Sequence, residues 1–231
     1  MILLPFERLP RAFHSDEVRA YYDILSRKRF SLILKRATDI ILSLLVAALL
    51  LIPMAVIAVV IKCTSKGPVL YRQERVTTYG RKFNILKFRT MVVGADREGA
   101  LITSHADSRV TAVGRTLRRF RLDELPQVFH VLSGKMSFVG TRPEVTRYVD
   151  QYTPEMMATL LMPAGITSLA SIEYKDEDEI IGRIEDPDMV DVIYVGEILP
   201  QKMAYNLSYL RDFSFVGDLR LMVKTVGRVF L

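Results

Sequence analysis

IILSLLVAALLLIPMAVIAVVI, residues 40–61, is a run of 22 residues without a charge, interrupted by Pro53. Lys28, Arg29, Lys35 and Arg36 precede it, and Lys62, Lys66, Arg72 and Arg75 follow it. As a straight helix the run would reach roughly 33 Å, enough to cross the hydrocarbon core of a bilayer. A spanning helix concentrates Lys and Arg on its cytoplasmic flank, yet both flanks here are basic. Pro53 removes a backbone donor and crowds the preceding turn, which predicts a kink near Ile52-Pro53. A helix that enters the bilayer, bends and returns to the same face satisfies both facts. An ordinary span with a proline kink is the alternative. Polar backbone freed at the break needs partners, and Ser43 is a candidate donor.

Charge is unevenly spread around this run. Residues 1–39 carry 8 Lys/Arg against 5 Asp/Glu, residues 62–150 carry 17 against 8, and residues 151–231 carry 7 against 13. The basic middle follows the apolar run directly, so it should face an anionic leaflet, anionic substrates or both. No nucleic-acid-binding motif accompanies the charge, and no nucleic-acid partner is expected. The single cysteine, Cys63, excludes an internal disulfide. His14, His105 and His130 have no zinc spacing. Residues 1–5 are too short for a signal-peptide core, and no small-residue cleavage pattern follows the apolar run, so the run should remain in the mature protein.

Working outward, Ser15-Asp16-Glu17 reads as a helix start, a cap followed by acids in the first turn. Residues 18–34 mix apolar and basic side chains, as in a helix lying on a membrane surface. A helix packed on the protein's own core has the same composition. Gly67-Pro68 breaks the chain, and residues 69–75 and 81–88 read as two short strands. Residues 94–109 read as a helix and a loop. Helices are expected at 113–120, 126–132, 154–161, 201–213 and 218–229, with an extended segment at 137–143 and a turn at 163–165. The acidic stretch 175–191, including Asp176-Glu177-Asp178-Glu179, reads as solvated surface rather than a metal site. The expected fold is α+β and mainly helical. An interfacial segment (1–34) and a Pro-broken re-entrant membrane helix (35–62) precede a cytoplasmic catalytic domain (63–231) that contains a small strand pair.

The densest chemistry is Arg115, Arg118, Arg119 and Arg121 leading into Leu122-Asp123-Glu124-Leu125-Pro126-Gln127. Arginines and a helix start both favour ionised carboxylates. Four arginines exceed what two carboxylates need, and the surplus suits phosphate. Alone, the cluster also reads as a surface salt-bridge network. Lys87-Phe88-Arg89-Thr90-Met91 alternates basic and apolar residues at strand spacing. In Gly140-Thr141-Arg142-Pro143-Glu144, glycine allows close backbone approach and proline fixes the direction of the chain.

Together these segments resemble the bacterial sugar transferase family, the monotopic polyprenyl-phosphate phosphoglycosyltransferases, from about Lys35 to Val226. The stretches that carry the resemblance are Gly67-Pro68-Val69, Gln73-x-Arg75, Lys87-Phe88-Arg89 and Arg109-Val110-Thr111-x-x-Gly114. The longest match runs from Leu122-Asp123-Glu124-Leu125-Pro126-Gln127 to Met136-Ser137-x-Val139-Gly140-x-Arg142-Pro143, and Pro163-x-Gly165-Ile166-Thr167 follows. The resemblance implies transfer of a sugar phosphate from a nucleotide diphosphate sugar, such as a UDP-sugar, to polyprenyl (undecaprenyl) phosphate. It implies Asp123 and Glu124 as the catalytic dyad, with Asp123 the nucleophile and Glu124 the ligand of Mg2+. Lys87, Arg89, Arg118 and Arg142 match positions expected to bind substrate phosphate or line the site. The implied place is the bacterial inner membrane, with the catalytic domain facing the cytoplasm. Thr141 and Arg121 stand where the family has Pro and Ser, and Asn206 where it has Asp. A catalytically silent scaffold of a glycan-assembly complex is the alternative function, and the intact dyad argues against it. The sugar, the glycan pathway and a possible homo-oligomer are left open.

Overall fold

Ser15 opens the first long helix, α1 (Asp16–Arg27), where its Oγ accepts a hydrogen bond from Val18 N at 3.3 Å. The structure is a computed structural model that describes residues 2–95, 108–174, 180, 181, 184 and 187–230. Val18, Tyr21 and Leu25 of α1 are buried in a core shared with Phe13, Leu161, Leu210 and Phe213. The apolar face of this segment therefore packs on the protein's own core, one of the two arrangements its composition allows. Leu32 joins the same core.

The decisive apolar run lies in α2 (Arg29–Thr64), a helix of 36 residues that continues through Pro53. Its first half carries Lys35, Asp39 and Ser43, four residues apart and therefore on one face; all three are buried. Lys35 Nζ donates to Val139 O at 2.6 Å and to Asp218 Oδ2 at 2.7 Å. Asp39 Oδ1 accepts from Ser137 Oγ and Phe138 N, both at 3.1 Å. Arg36 donates to the carbonyls of Val131 and Leu132. Ser43 Oγ donates to Ile40 O, within its own turn, rather than to a carbonyl freed by Pro53. The second half docks through Met54 and Ile61 on Phe88 and Leu117. Between the halves, residues 44–53 include no buried residue, and Leu49 and Ile52 are 76% and 75% exposed.

Two strand pairs stand beside the helices. β1 (Leu70–Val76) and β2 (Lys82–Phe88) form the expected hairpin, antiparallel from Leu70↔Phe88 to Val76↔Lys82. Its turn uses left-handed backbone at Tyr79 (φ 60°) and Gly80 (φ 74°). β3 (Met136–Val139) pairs in parallel with β4 (Ala164–Thr167). This second pair corrects the expectation of a single one, because residues 163–165 lead into a strand rather than only turning. Four-residue strands have too little alternation to be read. Gly140 and Gly165 mark the contact: a Cβ on either would collide with backbone of the facing segment.

The remaining helices are α3 (Ala112–Arg119), α4 (Val128–Leu132), α5 (Thr146–Val149), α6 (Leu169–Glu173), α7 (Pro187–Ile193), α8 (Leu199–Arg211) and α9 (Phe215–Phe230). A π turn, Tyr194–Ile198, joins α7 to α8. The helix expected from Pro126 is divided: Leu122–Gln127 is 3-10 and α4 follows it. The segment expected to be helical from residue 154 is 3-10 over Met156–Leu161. Most of the helix and loop expected at 94–109, and Asp176–Glu179 in the acidic stretch, lie outside the described residues. The described architecture is mainly helical with two small strand pairs.

Candidate active site

β2 buries Phe83, Ile85 and Phe88 and leaves Lys87 half-buried near its end. The 3-10 turn Leu122–Gln127 lies against β2 and buries Asp123, Glu124, Pro126 and Gln127. Arg121, just before the dyad, has φ 54°. Left-handed backbone at a non-glycine residue costs about 1–2 kcal/mol. The turn therefore carries local strain where the chain swings Asp123 and Glu124 inward.

Glu124 is doubly paired. Lys87 Nζ lies 2.8 Å from its Oε1, Arg142 Nη2 lies 2.6 Å from the same oxygen, and Arg142 Nη1 reaches Oε2 at 3.4 Å. Burial alone would raise the pKa of Glu124, but Arg142 and Lys87 outweigh it and hold the carboxyl well below the usual range. Asp123 behaves oppositely. Burial first, then the charge of Glu124, push it up against the opposing pull of Lys87 and Arg118. Burial also lowers Lys87, and Glu124 partly restores it. Arg118 Nε donates to Thr90 Oγ1 at 2.9 Å, which ties α3 to the end of the hairpin.

These groups share one cleft of about 1390 Å³. Asp123, Glu124, Lys87, Arg118 and Arg142, all singled out from sequence, line it together. Arg89 lines it too, but its Nη2 is committed to Ser65 O and Oγ at 2.9 and 2.7 Å, at the C-terminal end of α2. Its Nε and Nη1 are buried without a hydrogen-bond partner among the described residues. Arg89 therefore holds the helix end, where a cation complements the helix dipole. Pro53 lies away from the cleft, exposed on α2. Val69, Val92 and Val93 give the cleft an apolar wall close to the end of α2.

Comparison with known proteins gives the chain a family. A family model described as bacterial sugar transferase matches residues 30–231. The chain belongs to the bacterial sugar transferase family. It is 35% identical over 205 residues to a UDP-glucose:undecaprenyl-phosphate glucose-1-phosphate transferase of Klebsiella pneumoniae, covering 87% of this chain and 41% of that relative. It is 34% identical over 199 residues to a UDP-N-acetylgalactosamine-undecaprenyl-phosphate N-acetylgalactosaminephosphotransferase of Aeromonas hydrophila, covering 85% and 43%. A UDP-glucose:undecaprenyl-phosphate glucose-1-phosphate transferase of Caulobacter vibrioides is 35% identical over 195 residues, covering 83% and 68%. The chain thus spans less than half of the first two relatives.

The structure adds residues to this candidate site that sequence reasoning did not assign. Arg75 lines the cleft and donates from Nη1 to Pro143 O at 3.1 Å. Its Nη2 and Nε donate to Gln73 Oε1 at 2.7 and 3.2 Å. The signal was present as Gln73-x-Arg75: residues two apart on a strand share a face. Glu144, which follows Pro143, is buried against Tyr194 and Lys202. No local pattern joins residues that distant in sequence.

Proposed function

We propose that this chain transfers a sugar phosphate from a UDP-sugar to polyprenyl phosphate through a covalent aspartyl intermediate, as the first membrane step of a bacterial glycan. The observation that carries this reading is the asymmetric dyad: two adjacent buried carboxylates, one neutralised by Lys87 and Arg142, the other without an ion pair among the described residues, on the wall of a basic cleft. Ionised Asp123 attacks the sugar-linked phosphorus. A P–O bond forms, the diphosphate bridge breaks, and nucleoside monophosphate leaves with the bonding pair. A phosphate oxygen of the polyprenyl phosphate then attacks the same phosphorus and frees Asp123. Nucleophilic catalysis of this kind divides one difficult transfer into two easier ones. Lys87, Arg118 and Arg142 balance phosphate charge in a site where charges are poorly screened.

The donor set fits magnesium. Among the described residues no cluster of three or more metal ligands forms. A magnesium ion would draw on Glu124, and on Asp123 beside it, completing its shell with substrate phosphate and water, as this ion prefers. Glu124 Oε2, whose one hydrogen bond among the described residues is the 3.4 Å contact, would be the oxygen offered to the ion. The ion supplies charge neutralisation between anionic nucleophile and anionic phosphate.

The membrane arrangement we propose is re-entrant, with the catalytic domain on the cytoplasmic face of the inner membrane. Both halves of α2 dock on one folded body, while residues 44–53 between them include no buried residue and touch that body through Leu50. That supports a helix dipping into the bilayer and returning, since a spanning helix would carry its two ends to opposite sides. Only 11% of the helix's most apolar window is buried, unlike a core helix. Val216, Leu219, Val223 and Val226 add an exposed apolar stripe on α9, at helical spacing. Arrival of one substrate from the cytosol and one from the bilayer follows naturally.

The test is to incubate purified protein with magnesium, polyprenyl phosphate and a panel of UDP-sugars. Release of uridine monophosphate is expected, with a phospho-sugar adduct on Asp123 by mass spectrometry when the lipid is withheld. An adduct on another residue, or none during turnover, would overturn the covalent mechanism.

A further inference from the structure

Behind Arg142 lies a second ion cluster that the chemistry above does not use. Glu144 is 6% exposed. Its Oε1 accepts from Tyr194 Oη at 2.7 Å, and Tyr194 Oη in turn accepts from Lys202 Nζ at 2.8 Å. Lys202 Nζ also lies 3.5 Å from Glu144 Oε1, and Arg75 Nη1 lies 3.7 Å from Oε2. The backbone carbonyl of Glu144 accepts from Val76 N at 2.9 Å. The cluster joins strand β1, helix α8 and the π turn to the segment that carries Arg142.

Burying a carboxylate and an ammonium costs several kcal/mol per ion, and apolar packing of similar volume is often as stable. The cluster therefore needs a role beyond holding the fold. Two observations locate that role. The backbone on both sides of Arg142 is pinned: Thr141 O accepts from Gly165 N at 2.9 Å, and Pro143 O accepts from Arg75 Nη1 at 3.1 Å. In addition, Arg75 and Arg142 both line the cleft, and they stand near enough for the charge of Arg142 to disfavour that of Arg75. Glu144 supplies the negative charge that lets them do so. Tyr194 begins the π turn, and single π turns are rare and frequent at functional sites.

We propose that Glu144, held by Tyr194 and Lys202, is a positioning residue that keeps Arg75 on the Pro143 carbonyl and so fixes the Arg142 guanidinium on the phosphate-binding wall. The inference rests on the transferase reading and deepens it. Glu144 and Tyr194 act through Arg142 and do not touch the reacting atoms.

The experiment is a double-mutant cycle on the full chain in lipid nanodiscs, with E144Q, Y194F, R142A and the pair Y194F/R142A. Binding of UDP is measured by calorimetry, and KM and kcat by release of uridine monophosphate. Y194F and E144Q should each weaken UDP binding and raise KM for the UDP-sugar by about tenfold, the loss expected for a hydrogen bond to a charged group. In the R142A background Y194F should change UDP affinity by less than about twofold, because its route of action is gone. Y148F is the structural control. Tyr148 packs on Tyr194 with ring centroids 4.6 Å apart but bonds to Asp191, so it should lower thermal stability without moving UDP affinity. Unchanged affinity and KM in both Y194F and E144Q, or an equal effect of Y194F with and without Arg142, would overturn the inference while leaving an active wild type intact. A wild type that neither binds UDP nor releases uridine monophosphate would overturn the transferase reading, and this inference with it.

Discussion

Asp123 and Glu124 share a peptide bond but meet opposite electrostatic surroundings, and the difference can be measured. The pKa of Asp123 is raised, first by burial and then by Glu124. Only its ionised form is a nucleophile, so kcat/KM should fall as pH drops through a value above the usual aspartate range. An acid limb at or below that range would count against Asp123. Asp123→Asn should abolish both turnover and adduct. Glu124 has a depressed pKa, so its stabilising contribution is present above the unfolded-state value and is lost as pH falls through the folded-state one. Glu124→Gln leaves Lys87 and Arg142 without their shared anion and should cost about 1–3 kcal/mol, read as a lower unfolding temperature, together with loss of magnesium-dependent turnover. That Asp123 and Glu124 stand together was legible because Leu-Asp-Glu-Leu-Pro-Gln is contiguous. The left-handed backbone of Arg121 was not, since arginine has no preference for it.

Elements were legible in proportion to their length and periodicity. The apolar run, the hairpin and the helices near residues 113, 201 and 218 follow from patterns that repeat several times. The β3–β4 pair did not, because each strand has four residues and the pairing joins segments about 28 positions apart. Its two glycines nevertheless make a sharp prediction. Gly165→Ala places a methyl group against the backbone of Gly140. The change should destabilise the protein by about 3 kcal/mol, as overpacking does, or prevent folding. Thermal unfolding compared with Gly196→Ala, where a Cβ meets nothing nearby, gives the measurement. In α2, Pro53→Ala restores a donor for the carbonyl of Leu49 and relieves a clash. A larger population with its N-terminus across the bilayer is expected, less active than the rest. Unchanged topology and activity would mean that the docked arms alone hold the helix.

At the scale of the molecule, the basic flanks of the apolar run and its two docking arms point to the same arrangement. One is a charge pattern along the chain; the other is a contact pattern in space. Single cysteines at residues 30 and 66, in a Cys63→Ser background, should both react with an impermeant thiol reagent in inside-out vesicles and both be protected in intact cells and right-side-out vesicles. Reaction from opposite sides would replace the re-entrant helix with a span. The sequence could not reveal how α2 is fastened, because Lys35 and Asp39 look like ordinary flanking charges until Asp218, Val139 and Ser137 are brought to them. The same limit hid the Glu144 cluster, whose members come from four separate segments.

The ion pair between Lys35 and Asp218 also sets a clock. The two residues are 183 positions apart. At the usual pace of synthesis, about 5–20 residues per second, the later one leaves the ribosome roughly 10 to 40 s after the earlier. During that interval the apolar run can enter lipid, while the polar face of the same helix gains its partners near residues 131–139 first and Asp218 last. On the proposed membrane arrangement this helix would reach lipid before the rest of the chain is made, and the folded body would be assembled afterwards onto an anchor already in place. A nascent chain stalled short of residue 218 should sediment with membranes yet leave residue 35 open to an amine-reactive label, whereas the finished chain protects it.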